Sequence, residues 1–145
     1  MRNSKSVVFT IIAINLALAA FAQKEKNTTA SPEAKSAFTK AFPAASKVKW
    51  EKEKANYEVN FVQNGQTMSA VYDAKGNLQE TEQDIKIAEL PAGVVDYIKQ
   101  NYKGATVKEA ARITKANGEI NYEAEVNKKD LVFDTKGKFI KEAKD

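Results

Sequence analysis

The sequence predicts an α+β fold of two tandem α-β-β-β-β units, with antiparallel strands and both helices on one side of them. Three observations lead there. First, Val71-Tyr72-Asp73-Ala74-Lys75-Gly76-Asn77-Leu78 recurs as Val132-Phe133-Asp134-Thr135-Lys136-Gly137-Lys138-Phe139, and Tyr57-Glu58-Val59 recurs as Tyr122-Glu123-Ala124. One structural unit is written twice, which constrains the architecture before any single residue is weighed. Second, the segments around these motifs alternate apolar and polar residues, the period of a strand that buries one face. Third, each copy follows an apolar stripe at helical spacing.

In chain order, residues 1–22 read as a secretory signal peptide. Arg2 and Lys5 supply the positive start, Val7 to Ala20 is mostly apolar, and Ala20-Phe21-Ala22 gives a small-x-small cleavage pattern, so processing is expected after Ala22. The apolar run falls short of the roughly 20 residues that a spanning helix needs, so no membrane anchor is expected in the mature chain. Residues 23–30 are polar and without period, a flexible lead.

The first unit covers residues 31–82. Ser31 is placed to cap a helix, with Pro32 at its first position and Glu33 complementing its dipole. Ala34, Phe38, Ala41 and Phe42 share one helical face, and Pro43 ends the helix. Val48 and Trp50 alternate with Lys49 and Glu51 in a first strand, which points Trp50 toward the core under the helix. Tyr57, Val59 and Phe61 form the next strand and Asn64-Gly65 turns it, because both central positions of the tight hairpin turn favour positive φ. The return strand carries Met68, Ala70 and Tyr72, and Leu78 opens a last strand ending near Glu82.

Residues 83–89 read as a linker, and residues 90–145 repeat the unit. Val94, Val95, Ile98 and Tyr102 build the second helical stripe after Leu90-Pro91, with Gly104 placed to cap its end. Strands follow at Val107 to Thr114, Ile120 to Asn127, Leu131 to Phe133 and Phe139 to Glu142, the first pair turned by Asn117-Gly118. The expected core is Tyr57, Val59, Phe61, Met68 and Tyr72, with Tyr122, Ala124, Val126, Leu131 and Phe133 from the second copy. One helix covers one face of its strands, so the other face shows Glu58, Asn60, Glu123 and Glu125 to solvent or to a partner.

Composition narrows the function classes. Taking 22 leader residues from 145 leaves 123, enough for a core without covalent staples. Arg2 and Lys5 leave with the leader, so 23 basic residues become 21 against 19 acidic, and the excess falls to two. Charges of both signs alternate, as in Lys49-Trp50-Glu51-Lys52-Glu53-Lys54, which suits a solvated face and not a nucleic-acid stripe. Cysteine is absent, which removes disulfides and lipidation at a cysteine after the leader. Histidine is absent too, so Ser36, Ser46 and Ser69 lack the usual activating base, and no cofactor or metal site is expected.

The order helix, Phe42-Pro43, Val48-x-Trp50, Tyr57-Glu58-Val59-x-Phe61 and Val71-Tyr72-Asp73-x-x-Gly76 resembles the PepSY-like domains of the β-lactamase-inhibitor-like group, exported proteins common in Bacteroidetes-type bacteria. The resemblance spans both units, from about Ser31 to the end of the chain. It implies a curved antiparallel sheet and, for most members, no established activity; the inhibitor label is a likeness of fold and does not carry function with it.

The expected function is therefore an exported, non-enzymatic binding module acting through its open sheet face and hairpin tips. Its partner would be an envelope or secreted protein such as a peptidase or other hydrolase, with the module itself a monomer or weak dimer. Glu58, Asn60, Arg112, Glu123 and Glu125 are the candidate partner-binding residues, Arg112 because it lies opposite Ala111 and Ile113 in its strand. A small-ligand or cation-binding envelope stress protein is the alternative. Asp73-x-Lys75-Gly76 and Asp134-x-Lys136-Gly137 carry oxygens suited to calcium, but a lysine in each loop and missing acidic ligands favour plain turns. A hydrolase using Glu58 and Glu123 as an acid–base pair is the third class. Polar neighbours on their strands lead one to expect both carboxylates solvated.

Overall fold

The computed structural model describes residues 30–143. The expected signal peptide and most of the polar lead lie outside them. The elements run α1 (Pro32–Ala41), β1 (Ser46–Glu53), β2 (Asn56–Gln63), β3 (Gln66–Tyr72), β4 (Leu78–Asp84), a 3₁₀ turn (Ile87–Glu89), α2 (Ala92–Asn101), β5 (Val107–Lys115), β6 (Ile120–Val126), β7 (Lys129–Phe133) and β8 (Phe139–Ala143). All eight strands form one sheet in sequential order, each pair antiparallel. The ladder between β4 and β5, from Glu80↔Lys115 to Asp84↔Ala111, makes the two halves continuous.

Helix α1 starts as its residues dictate. The Ser31 hydroxyl accepts the Ala34 amide at 3.1 Å, Pro32 opens the first turn and Lys40 sits in the last. Both helices end alike, on a residue that donates its amide four residues back: Phe42 to Phe38 and Tyr102 to Ile98. The buried face of α1 is Ala34 and Phe38, extended by Ala37 and Phe42; Ala41, expected with them, is exposed. In the second half, Gly104 lies beyond the cap Tyr102, at φ +75° in the turn that follows.

Each helix covers its own four strands and closes its own core. Under α1, Phe38 meets Phe61 edge-on at 5.0 Å and Trp50 edge-on at 5.5 Å, with Val59, Ala70 and Tyr72 fully buried around them. Under α2, Val94 and Ile98 pack on Val126, Leu131 and Phe133, while Tyr97 stacks on Phe139 at 4.8 Å. All ten core residues named from the sequence belong to these two clusters. Between them, the helix-side positions of β4 and β5 are polar and half-buried: Thr81, Gln83, Arg112 and Thr114.

Three local expectations are corrected. Val48 does not share the orientation of Trp50 in a buried face: the register slips between Ser46 and Lys49, Lys47 takes φ +53°, and Val48 is 43% exposed. Strand β5 opens with the same kind of slip, between Val107 and Ala110. Asn64 and Gly65 both take positive φ, as the tight hairpin requires, but at Asn117-Gly118 only the glycine does. There the amide of Gly118 donates to the Lys115 carbonyl, a longer turn closed by a left-handed glycine. The third concerns the stretch read as a linker, which is strand through Asp84 and then a single 3₁₀ turn.

Candidate functional site

The face turned away from the helices is built from cross-strand rows, because directly paired residues point the same way. One row reads Glu51, Glu58, Val71, Glu80, Lys115 across β1 to β5. The next reads Lys49, Asn60, Ser69, Glu82, Ile113, Asn121. A third runs Asp84, Ala111, Glu123, Val132, Lys141. Two direct pairs set carboxylate against carboxylate, Glu51↔Glu58 and Glu125↔Asp130. Like charges directly opposite each other destabilise a sheet, so this face departs from the arrangement that stability alone would favour.

The face is hollowed at the end where β1 begins, forming a cavity of about 860 Å³. Asn60, Ser69, Glu82, Ala111, Glu123 and Glu125 are among its lining. Six carboxylates line it in all, against the four lysines Lys47, Lys49, Lys86 and Lys108. The lysines are exposed, as are Asp84 and Glu109, whereas Glu82 and Glu123 are each only 7% exposed, so the interior is acidic and the rim carries both signs with four lysines.

Glu58 and Glu123 were expected to be solvated, and the structure corrects this: Glu58 is 5% exposed. Alternation along one strand says nothing of neighbours on adjacent strands. Both residues sit on interior strands, flanked by Glu51 and Val71 around one and by Ala111 and Val132 around the other. Burial raises the Glu58 carboxyl to about 7, helped by the negative charge of Glu53 and Glu51 and opposed by a hydrogen bond from Asn60. Burial also raises Glu123 to about 8, with Asp130 and Glu80 adding to the rise and Lys141 opposing it. Glu82 lies well above the ordinary carboxylate range through burial and then repulsion from Glu123 and Glu80. Its Oε2 is shielded from solvent and accepts no hydrogen bond, an arrangement that typically costs about 1–3 kcal/mol.

The structure sorts the five residues named from the sequence. Asn60, Glu123 and Glu125 come together in the cavity wall, and Glu58 lies on the same face outside it. Arg112 is misplaced by the sequence reading. It pairs with Tyr122 and Gln83 on the helix side, while Ala111 and Ile113 take the open face. Ala111, placed opposite Arg112 by alternation, instead lines the hollow beside Glu123, while Ala110 packs in the core under α2. Glu58 and Glu123 stand on β2 and β6, four strand spacings apart, on the order of 19 Å along the sheet. Paired glycosidase carboxyls stand about 5–10 Å apart, so these two do not form such a pair.

Sequence reasoning missed Glu80, Glu82 and Asp84, which place three carboxylates on the open face of β4. The signal was present, since they alternate with Thr81 and Gln83 at a spacing of two. The aspartate carboxyls close their own turns. Asp73 Oδ1 accepts the amides of Lys75 and Asn77 at 2.8 and 2.9 Å, and Asp134 Oδ1 accepts those of Lys136 and Lys138 at the same distances. The Asn77 side-chain amide, donating to Asp73 Oδ2 at 2.8 Å, and then these backbone bonds hold Asp73 below its ordinary range, and the Lys138 and Lys136 amides do the same for Asp134, as turn-forming aspartates behave.

Comparison with known proteins places the fold. A protein described as a "putative periplasmic protein" of Bacteroides eggerthii superposes with a TM-score of 0.70 at 20% identity, covering 79% of this chain and 88% of its own. A DUF2874 family protein of Bacteroides uniformis gives the same values. A BLIP-like protein of Bacteroides fragilis superposes with a TM-score of 0.64 at 23% identity, over 79% of this chain and 85% of its own. At such identities the likeness is one of fold. No protein of the curated set matches. The family described as "Putative beta-lactamase-inhibitor-like, PepSY-like" matches residues 26–80 and 55–141, most of the chain including both helices and nearly all of the eight strands, and the protein belongs to that family.

Proposed function

We propose that this chain is an exported, non-enzymatic module that docks another protein of the envelope or secreted fraction on its hollowed sheet face and the adjoining hairpin ends. One observation carries the reading: charged residues are buried on a sheet face that no other element of the described residues covers, at a cost to stability. Folds break local rules of this kind where function requires it. Export is supported by the leader pattern in residues 1–22 and by relatives described as periplasmic. No helix of the described residues is long and apolar enough to cross a membrane. We read residues 31–82 and 90–145 as tandem copies of one unit within a single globular domain, on the matched turns, helix ends and strand-entry slips of the two halves. A peptidase or other hydrolase is the partner class this reading favours.

The test is site-specific photocrosslinking in the native envelope from Asn60 and from Glu125, with Lys99 on the exposed side of α2 as control. A single protein captured from both open-face positions and not from Lys99, and lost on Glu125→Lys, is the expected result. Equal capture from all three positions, or none, would sink the reading. The cavity volume also falls in the range of small-molecule sites. A free metabolite that raises the melting temperature, with no crosslinked protein, would favour that second reading.

A further inference from the structure

We propose that the hollow receives a basic side chain: a lysine or arginine on a loop of the partner protein inserts between Glu82 and Glu123 and pairs with their carboxylates. The inference rests on the docking reading above and adds the partner's chemistry to it.

Glu82 carries the argument. It lines the cavity, is more than nine-tenths buried, and leaves Oε2 without hydrogen bond or solvent. Natural folds rarely leave such an atom unsatisfied. Its strand neighbours across the ladder, Ser69 and Ile113, leave it that way. Glu82 and Glu123 flank β5, opposite Ile113 and Ala111 respectively. The small side chain of Ala111 leaves space between two long acidic ones. Val62 and Ile85 in the cavity lining offer apolar contact for a methylene stem, and Ile87, 43% exposed, extends that contact at the mouth. A lysine or arginine has this two-part character, an apolar stem with a cationic tip.

The surrounding charges sort against other ligands. Rim lysines repel a polymer that is basic along its whole length, whereas a single cation reaching past them meets the buried carboxyls of Glu82 and Glu123. A bare metal ion fits poorly, since among the described residues no three potential ligands converge with metal-holding geometry. The cavity, at about 860 Å³, is also much larger than an ion and has the room of a peptide loop. Glu82 faces Glu80 and Asp84 from its own strand, and Glu58 and Glu123 from others. Glu123 faces Glu125 on its strand, Asp130 on β7 and Lys141 on β8. With carboxylates in the majority, Glu123 titrates at about 8 and Glu82 well above its ordinary range when the hollow is empty, and an entering cation lowers both and releases protons. Binding therefore tightens as pH rises.

The probes are the blocked peptide Ala-Ala-Lys-Ala-Ala and its norleucine counterpart, which keeps the stem and lacks the charge, titrated into the processed protein by calorimetry. Spermidine and calcium chloride serve as separate arms. The expected result is a preference for the lysine peptide of about tenfold at pH 8, the scale of one charge-assisted contact, shrinking toward pH 5. Glu82→Gln and Glu123→Gln should each remove the preference without lowering the melting temperature. Equal binding of the norleucine peptide, a lysine preference that survives both substitutions, or a response to calcium or spermidine alone would overturn the inference. If crosslinking from Asn60 captures a partner and both substitutions leave capture intact, docking stands and the basic anchor falls.

Discussion

Trp50 shows how far a single residue can be read in isolation. Its alternation with Lys49 and Glu51 points it under the first helix, and there it meets the Phe38 ring edge at 5.5 Å and lies 6.1 Å from Tyr72. It is half-buried, midway along an edge strand. Trp50→Ala should lower stability by about 3 kcal/mol, the low end for a large aromatic, because part of the indole stays wet. Chemical denaturation measures this, and a midpoint equal to the parent's would refute the packing role. Val48, two residues earlier, obeys the same alternation and is exposed, because the backbone slip at Lys47 resets the register. Nothing in a lysine between a serine and a valine announces a bulge.

At the scale of elements, the Asp-x-x-Gly turns join strands and also seat helices. A methyl group on Gly137 would lie 2.6 Å from the Val94 amide nitrogen and 2.7 Å from Gly93 Cα, and one on Gly76 would lie 2.7 Å from the Glu33 carbonyl oxygen. Each turn thus presses its glycine against the first turn of the helix in its own half. Gly65 shares the positive φ, at +78°, but has no neighbour within 4 Å. Gly65→Ala should cost about 1 kcal/mol from backbone strain alone. Gly137→Ala should cost at least about 3 kcal/mol, since strain and backbone overlap add and a backbone atom cannot swing aside. Thermal melts of the two variants separate the contributions; equal losses would show that the helix contact is unimportant. The turn was legible as a turn from Asp and Gly at fixed spacing. Its contact with a helix some 40 residues away was not.

For the whole molecule, the buried carboxyls give stability a particular pH dependence. Glu58 titrates at about 7 and Glu123 at about 8 in the folded chain, against 4.5 as the ordinary value. Between those limits the native state holds protons that the unfolded state has lost, so this contribution is complete below about 4.5 and disappears as pH rises through 7 to 8. For Glu58 alone it amounts to about 3 kcal/mol. Asp73, Asp134 and Glu119, whose folded values are lowered, act oppositely, and their contribution is lost as pH falls below 4. The melting temperature should therefore peak near pH 5 and decline toward pH 9, and Glu58→Gln with Glu123→Gln should flatten that decline. A melting temperature constant from pH 5 to 9 would contradict the burial of these groups. An occupant bringing positive charge to the face would reverse part of the loss, which connects the titration to docking.

By itself the sequence determined the two α-β-β-β-β runs, the helix-side core from Tyr57 to Phe133, and the Asn64-Gly65 and Asp-x-x-Gly turns. Those features follow from local periodicity, capping chemistry and the φ demands of glycine and asparagine, all of which act within a few residues. Tertiary structure alone decided that β4 joins β5 in one sheet, that Arg112 turns to the helix side, and that Glu58, Glu82 and Glu123 are buried. Those outcomes depend on which residues from other strands stand beside them, and the side-chain surroundings that shift a carboxyl by several pH units are set only when distant segments pair.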